Sequence, residues 1–364
     1  MKKVFFSLVM IFAATGGVKA QEVPIVTLQK GETTQLFYGA DAYKEAMAAA
    51  ENGNTIILGP STFNATDITK AVSIYGNGYV MHSSEATEKE GNIAYATRIN
   101  GDFTIALDSV NGQPAEGLYI EGIYIEGIYS NNRVWVKKHL ASASFIKCRF
   151  QNFALWKSQY NNDMTTSKDV QFNHCRFAAW FEPGESQNMS ISNCIVNALG
   201  RNRDTSTINI QNCIIFTVLN NLRATLKNNI IYRSIHGDYD FEYSSGSFNP
   251  LHPACSVYNN VFCTEGDFLS NVITKDNNWL NVEYNTLLNK DIQIYSDDEM
   301  YELTNEAQTA YIGTDGTQVG IYGNVSPFNT TLTIPHIISK KIAPKTENGK
   351  LKVNIKVEIG DNTL

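Results

Sequence analysis

The chain has 364 residues, with 36 Asp and Glu against 29 Lys and Arg and a formal net charge of −7. This balance argues against nucleic acid and other polyanions as partners, although a local basic patch could still bind an acidic polymer. The length is sufficient to bury a large core, and one elongated domain is compatible with it.

The first twenty residues have the pattern of a secretory signal. Lys2 and Lys3 form the charged start, residues 4–14 the apolar run, and residues 18–20 (VKA) a small-x-small cleavage site. The run is too short to span a bilayer, and no later stretch is apolar enough to do so. We therefore expect an exported protein in the periplasm, on the outer surface or outside the cell, with 26 basic and 36 acidic residues and a net charge of −10 after cleavage.

Residues 21–54 are predicted to hold an N-terminal strand and a capping helix. The strand-like run covers residues 23–28, and residues 41–52 have helical periodicity with Asp41 as N-cap. Asn52-Gly53-Asn54 ends the helix, and a strand follows at residues 55–58. Such a helix would cover the open end of a stack of parallel strands.

A six-residue phrase then recurs along the chain: apolar, variable, often Asn, then Cys or Asn, variable, apolar. The six copies are 145–150 (FIKCRF), 172–177 (FNHCRF), 191–196 (ISNCIV), 210–215 (IQNCII), 226–231 (LKNNII) and 257–262 (VYNNVF). We call the Cys or Asn at the fourth place of each copy the anchor. Successive anchors are 27, 19, 19, 16 and 31 residues apart, and a repeat near twenty residues indicates a solenoid.

The spacing inside the phrase indicates a corner between two short strands. The first apolar residue and the anchor are three apart, which breaks the alternation of a straight strand. Asn precedes the anchor in four copies and tolerates positive φ, while Gly76, Gly101 and Gly122 are predicted to take the same corner in earlier coils. Stacked corners would align the anchors in a column. The alternative is a set of ordinary strand-turn-strand pieces in a β-sandwich.

The I-x-N-[CN]-x-[IF] phrase resembles the right-handed parallel β-helix of the pectate-lyase-like superfamily. In that family each coil has three strands and an Asn column lines one corner, and the resemblance covers roughly residues 40–295. It implies an all-β, single-stranded right-handed parallel β-helix over residues 55–295 with an N-terminal helical cap. Residues 315–323 (DGTQVGIYG) with Pro327-Phe328 resemble the C-terminal end of exported β-helix proteins from Bacteroidetes, which implies a closing β cap over residues 296–364.

Two features of that C-terminal segment are predicted from its residues. Residues 297–308 are acidic and have a helical pattern. Residues 336–342 and 350–359 have strand patterns and flank Asn348-Gly349, a hairpin signal.

Four of the six cysteines, Cys148, Cys175, Cys194 and Cys213, occupy the anchor position. Side chains stacked on neighbouring coils point the same way, which suits packing better than the torsion of a disulfide, so we expect buried free thiols. Cys255 and Cys263 flank the last phrase, and a bridge between them stays open.

The residue after each anchor should point outward. Arg149 and Arg176 would lie one above the other and could bind a uronate or sulfate group. The later members, Ile195, Ile214, Ile230 and Val261, are apolar and suggest that a loop or a partner covers this face. Trp156 and Trp180 are further candidates for glycan binding through ring stacking, with core packing as the alternative.

Catalytic candidates lie in two charged loops. These are Arg201, Arg203, His236, Asp238 and Asp240. By the resemblance, β-helix lyases use a basic residue together with Ca²⁺ or cationic side chains that neutralise a uronate, and β-helix hydrolases use paired carboxylates. The compact signatures of the pectate lyase and polygalacturonase families are absent from this sequence, and no spaced Ca²⁺ ligand motif decides whether that ion binds.

Two functions follow as hypotheses. The first is a monomeric exported protein that presents an extended coil face to a polysaccharide or a cell-surface glycan, without nucleic acid and without a transmembrane segment. The second is a polysaccharide lyase or glycoside hydrolase that acts on an acidic polysaccharide.

Overall fold

The computed structural model describes most of the chain after residue 22. The described residues are 23–79, 96–126, 133–158, 163–200, 202, 205–219, 222–235, 250–263, 266–292, 294–342, 349–350 and 352–359. The predicted secretory signal, residues 1–20, lies outside them. The described part is mostly β, with large parallel sheets.

Sheet A has twelve strands in one unbranched order within the described residues. In spatial order they are Thr33–Tyr38, Ile25–Lys30, Thr55–Leu58, Ser73–Tyr75, Tyr119–Glu121, Ser144–Ile146, Gln171–Asn173, Met189–Ser192, Ile208–Gln211, Thr225–Lys227, Ser256–Tyr258 and Thr274–Asp276. Ile25–Lys30 pairs antiparallel with both of its neighbours, Thr33–Tyr38 and Thr55–Leu58, and every later pair in the sheet is parallel. The strand Thr33–Tyr38 was not predicted from the sequence, because its polar residues give no alternating pattern.

A second sheet, sheet B, runs beside sheet A. Its main path is Val261–Phe262, Ile230–Ile231, Ile214–Leu219, Ile195–Leu199, Arg176–Glu182, Arg149–Phe150, Tyr124–Glu126, Arg98–Asn100 and Thr62–Asn64, and its side strands are Phe103–Ile105, Arg133–Val136, Asn152–Ala154 and Ser234–Ile235. A third sheet, sheet C, joins Leu140–Ala141, Thr166–Lys168 and Glu185–Gln187 in parallel. Over residues 140–200 the chain passes repeatedly from sheet C to sheet A to sheet B.

The predicted corner residues lie between sheet A and sheet B in the conformation that the sequence indicated. Asn193, Asn212, Asn228 and Asn259 have φ of 49°, 53°, 57° and 50°, respectively. Lys147 and His174 take the same position with φ of 50° and 54°, and we call these six residues the corner residues. Gly122 shares the position with φ of 71°. The same prediction was wrong for Gly76, which does not have a positive φ, and for Gly101, which connects two strands of sheet B.

The anchors follow the corner residues and are level with one another on successive strands. The strand register pairs Ile146 with Asn173 and Arg149 with Arg176, which places Cys148 beside Cys175. All four anchor cysteines are 0 % exposed. The predicted column of buried free thiols is confirmed. Cys255 and Cys263 are also free and buried, so no bridge joins them.

Hydrogen bonds run along the anchor column from one coil to the next. The backbone N–H of Cys194 donates to Cys213 Sγ at 3.4 Å, and that of Cys213 donates to Asn229 Oδ1 at 2.9 Å. Asn229 N–H donates to Asn260 Oδ1, and Asn260 N–H donates to Asn278 Oδ1, each at 2.9 Å. From Cys194 to Asn260, each anchor side chain therefore accepts a hydrogen bond from the previous coil, which satisfies a buried donor.

The core lies between the sheets and is filled by apolar side chains stacked coil on coil. Phe145 and Phe172 stack with their ring centroids 4.8 Å apart, and Phe150 and Phe177 do so at 5.3 Å. All four rings are at most 1 % exposed. Repetition of the same residue type at the same position lets neighbouring coils pack without voids.

At the N-terminal end, helix α1 (Ala42–Ala49) packs against the first two strands of sheet A. It lies inside the predicted range and buries Tyr43, Ala46 and Met47. Asp41 precedes the helix, but its side chain caps no backbone N–H and instead accepts from Asn64 Nδ2 at 2.8 Å. Whether α1 serves as a cap for the sheets stays a prediction.

The C-terminal part holds two short helices, α2 (Tyr284–Leu287) and α3 (Asn305–Ala310), and a hairpin of His336–Ile342 with Val353–Glu358. The antiparallel pairing of these two strands is confirmed. Asn348 of the predicted turn lies outside the described residues, and the helix predicted over residues 297–308 forms only at α3. Shorter hairpins join Ser109–Val110 to Gln113–Pro114 and Trp156–Ser158 to Asp163–Met164. Among the described residues, no helix has the length and apolar character needed to cross a membrane.

Candidate functional site

The outer face of sheet B is closed by the C-terminal part of the chain. The four apolar outward residues Ile195, Ile214, Ile230 and Val261 are 0 % exposed. They share a second hydrophobic cluster with Leu287, Leu288, Ile292, Tyr301, Leu303, Val319, Ile321 and Phe328. The expectation that a loop or partner covers this face is therefore met by the chain itself.

Arg149 lies beneath the C-terminal part of the chain and forms an ion pair with Asp297. Its Nη2 lies 2.6 Å from Asp297 Oδ2, and its Nε donates to both carboxylate oxygens at 3.2–3.3 Å. The guanidinium also lies over the Tyr124 ring, 4.6 Å from the centroid. Burial acts to raise the pKa of Asp297, but the hydrogen bonds and charge of Arg149 outweigh it, so this pKa lies below its ordinary value.

Arg176 is also enclosed. Its Nη1 donates to the carbonyl of Asp297 at 2.9 Å and its Nη2 to that of Glu299 at 2.9 Å, while the Phe328 ring lies 5.5 Å from its Cζ. Arg149 and Arg176 are 6 % and 2 % exposed. The predicted stacking of the two arginines is observed, but both guanidinium groups bind the protein's own chain, so the proposed uronate contact is not available to them in this conformation.

Residues 312–333, which we call the strap, run along the corner residues in the reverse order of the coils. The contacts join Asn259 Nδ2 to Ile312 O at 2.8 Å, Asn228 Oδ1 to Thr314 N at 2.8 Å, Asn193 Nδ2 to Ile321 O at 2.8 Å, His174 Nε2 to Ser326 O at 3.1 Å, and Lys147 Nζ to Thr331 O. Gly323 packs so closely that a Cβ there would lie 2.2 Å from Asn212 Nδ2. The outward side chains of the corner residues thus form a docking edge for the strap.

The strap ends at a buried carboxylate. Glu121 is 0 % exposed and accepts from the Thr333 backbone N–H at 2.7 Å, from the Thr333 hydroxyl at 2.5 Å and from the Tyr119 hydroxyl at 2.8 Å. Leu332 packs against Gly122, where a Cβ would come within 2.6 Å of its side chain. These contacts fix the strap beside sheet A.

The outer face of sheet A stays open next to the strap. Most of its outward side chains are half-buried or exposed, and twelve of these form what we call the ladder face: Ser144, Gln171, Ser190, Ser192, Asn209, Gln211, Thr225, Lys227, Ser256, Tyr258, Thr274 and Asp276. The residues between them, such as Ile191, Ile210 and Leu226, are 0 % exposed and face the core. Nearly all ladder-face side chains are neutral and carry a hydroxyl or an amide.

Two hydrogen bonds connect neighbouring rungs of the ladder face. Gln171 Nε2 donates to Ser144 Oγ at 2.6 Å, and Gln211 Nε2 donates to Ser192 Oγ at 3.1 Å. Lys227 Nζ lies 5.8 Å from the centroid of the Tyr258 ring. The side chains are therefore partly ordered by one another, which lowers the entropy cost of a ligand that binds along them.

Most of the predicted site residues fall outside the described part of the chain. All five catalytic candidates, Arg201, Arg203, His236, Asp238 and Asp240, lie there, as does the Trp156 side chain. Trp180 is half-buried on the outer face of sheet B, level with Ala198. The glycan contacts and catalytic roles suggested for these residues stay predictions.

Sequence reasoning missed the ladder face because it followed only the residue after each anchor. The signal lies around the first apolar residue of each phrase, in Ser190-Ile191-Ser192, Asn209-Ile210-Gln211 and Thr225-Leu226-Lys227. It also missed a seventh copy of the phrase, residues 275–280 (KDNNWL), in which Asn278 is the anchor and Asn277 takes the corner position with φ of 50°. This phrase has Lys275 where the others have an apolar residue.

Neither the carboxylates nor the thiols described here form a metal centre. No three His, Cys, Asp or Glu side chains within the described ranges converge so as to hold a metal ion. Burial raises the pKa of Cys148 and Cys194, and it raises that of Cys263 to about 12. Comparison with family models, with curated proteins and with solved structures returned no match.

Proposed function

We propose that the chain is an exported right-handed parallel β-helix protein that binds a polysaccharide along its ladder face. The chain passes through three parallel sheets in a fixed order, which supports a β-helix. Crossover connections between parallel strands are almost always right-handed, which supports a right-handed coil. The expectation of export depends on the signal pattern in residues 1–20. The expected form is a monomer.

The contrast between the two long sheet faces carries this proposal. The outer face of sheet B is apolar and closed by the strap and the cluster beneath it, whereas the outer face of sheet A is polar and open. Hydroxyl and amide groups donate and accept hydrogen bonds, as sugar hydroxyls do. Because parallel strands are about 4.8 Å apart, the ladder face repeats these groups at a constant spacing, which suits a repeating polymer better than a small molecule.

The test is binding of the purified protein to a panel of neutral and acidic glycans, with Gln211→Arg as the ladder-face variant. Gln211 and Gln187 are both exposed, but Gln187 lies on sheet C, so Gln187→Arg makes the same change on another face. We expect Gln211→Arg to weaken glycan binding at least tenfold and Gln187→Arg to leave it unchanged. Equal binding by both variants, or no binding by the native protein, would refute the proposal.

The enzymatic alternative is tested in the same incubations. New reducing ends or unsaturated sugar ends, lost in Asp238→Ala with Asp240→Ala, would establish a hydrolase or a lyase. Saturable binding with an unchanged polymer is the result that the binding proposal predicts. Repeating the incubation with added Ca²⁺ and with a chelator tests whether that ion takes part.

A further inference from the structure

Building on the proposed function, we infer that the ligand of the ladder face is a neutral, extended polysaccharide that binds across about six rungs between Tyr119 and Tyr258. Three features of the described residues lead to this class of ligand: the charge of the face, the length of the stretch from Tyr119 to Tyr258, and the two tyrosines that bound this stretch.

The charge of the face excludes an acidic polymer as the preferred ligand. Among the ladder-face side chains between Tyr119 and Tyr258 only Lys227 is charged, and the other charged member of the face, Asp276, lies one rung beyond Tyr258 and has the opposite sign. An acidic polysaccharide has a negative charge on many of its sugars and needs cations at a similar spacing. The arginines that repeat on adjacent coils, Arg149 and Arg176, are enclosed on the other sheet, and the net charge of −7 repels a polyanion.

Every strand of sheet A that lies between Tyr119 and Tyr258 presents at least one hydrogen-bonding side chain on the ladder face. From the strand Tyr119–Glu121 to the strand Ser256–Tyr258, sheet A takes six steps. At about 4.8 Å per step this distance is roughly 29 Å. The sugar rings of an extended, equatorially linked chain advance by a similar distance per residue, so about six rings would match six steps.

A tyrosine lies near each end of this stretch. Tyr119 packs against Tyr75 with the ring centroids 5.3 Å apart, and its hydroxyl is fixed by Glu121. Tyr258 is half-buried beside Lys227 at the other end. An aromatic ring offers an apolar surface to the C–H face of a sugar at low entropy cost.

The strap limits where the chain can lie. Its Thr333 binds Glu121, and Glu121 and Ile146 are 0 % and 3 % exposed, whereas Ser192, Gln211 and Tyr258, which follow in the same column of outward residues, are half-buried or exposed. Tyr119 belongs to the neighbouring column, one position before the core-facing residue. A polymer that contacts both tyrosines therefore crosses the face at a slant.

The experiment is calorimetric titration of the full-length protein with cello-oligosaccharides and manno-oligosaccharides of three to eight sugars, and with hexagalacturonate as the acidic probe. We expect one neutral series to gain at least tenfold in affinity from three to six sugars and little beyond six. Hexagalacturonate should bind at least tenfold more weakly than the neutral hexamer, both at physiological ionic strength and in low salt.

Tyr258→Ala tests the placement, and Tyr38→Ala is its matched control because Tyr38 is 59 % exposed at the edge of the same sheet. We expect Tyr258→Ala to lower the affinity for the neutral hexamer at least fivefold and Tyr38→Ala to leave this affinity unchanged. Tighter binding of hexagalacturonate would overturn the inference and leave the proposed function intact. No gain with length, or equal effects of the two variants, would overturn the placement. If neither probe class nor the wider glycan panel binds, the proposed function itself fails.

Discussion

Arg149 and Asp297, which are 148 residues apart in the sequence, form a bidentate salt bridge in which Nη2 and Oδ2 are 2.6 Å apart. Arg149 belongs to a coil of sheet B, and Asp297 belongs to the segment that covers this sheet. The pair therefore fastens the C-terminal part of the chain to the stacked coils. It also removes from the surface a cation that the sequence suggested as a ligand for acidic sugars.

Replacing the carboxylate should destabilise the covered face. Asp297→Asn keeps the shape of the side chain but leaves Arg149, whose side chain is 7 % exposed, without its counter-charge. We expect a loss of about 1–2 kcal/mol in the free energy of unfolding measured in urea. The control is Asp108→Asn, which removes the exposed ion pair with Lys138 and should change this free energy by less than about 0.5 kcal/mol. Equal losses would mean that the pair has no special role.

The contribution of the Arg149–Asp297 pair to the free energy of unfolding should decrease at low pH. The pKa of Asp297 is lower in the folded protein than the usual value of about 3.9, so its stabilising effect is complete above that value. The effect is lost as the pH falls through the lower folded pKa. The difference in unfolding free energy between the native protein and Asp297→Asn should be constant from pH 7 to pH 5 and shrink below about pH 4. A difference that grows on acidification would contradict this assignment.

The anchor column should tolerate cysteine better than alanine. Asn229 accepts from the backbone N–H of Cys213 and donates to the carbonyl of Ile210, each at 2.9 Å. Asn229→Ala leaves both buried groups without these bonds and opens a small cavity, which we expect to cost about 2–4 kcal/mol of unfolding free energy. Asn229→Cys should cost about 1 kcal/mol, because a thiol can accept the same N–H, as Cys213 Sγ does from Cys194.

The control for this series is Asn209→Ala on the open ladder face, with an expected change below about 0.5 kcal/mol. If Asn229→Cys were as costly as Asn229→Ala, the equivalence of Cys and Asn in the column would be disproved.

The six thiols should be inert in the folded protein. All are buried and free, so the reagent cannot reach them in the folded protein, and burial raises the pKa of Cys263 to about 12, which leaves that thiol almost entirely protonated at neutral pH. We expect iodoacetamide to label none of them in native buffer within an hour and all six in denaturant, as measured by intact mass. Thr207→Cys, at an exposed position, should be labelled at once and serves as the positive control. Labelling of any native cysteine at the rate of this control would contradict the buried column.

The corners and anchors could be predicted because their chemistry is local. Positive φ is tolerated by Asn because its short polar side chain can form a local hydrogen bond. A repeated Asn before a buried anchor therefore indicates the bend directly, as seen at Asn193, Asn212, Asn228 and Asn259. Glycine is less specific, and Gly101 was assigned to the wrong corner because glycine permits several turns.

The covered face and the open face could only be predicted in part. The apolar residues Ile195, Ile214 and Ile230 indicated that something covers sheet B, but not that the strap does so, since contacts such as that of Asn193 with Ile321 join residues 128 positions apart. The ladder face was missed because Ser190 and Asn209 are ordinary polar residues. Their significance appears only when neighbouring coils align them.

The alignment of the coils is the central claim, and spin-label distances test it most directly. Gln171, Asn209 and Thr274 are exposed on sheet A, with two steps between the first pair of strands and three between the second. With cysteines introduced in pairs at these positions and the native thiols buried, the account predicts backbone separations of roughly 10, 14 and 24 Å for the pairs 171/209, 209/274 and 171/274. Electron–electron distance measurements should therefore increase in proportion to the number of steps. Distances that do not follow this order, or a 171/274 separation no longer than the 209/274 separation, would contradict the stacked arrangement.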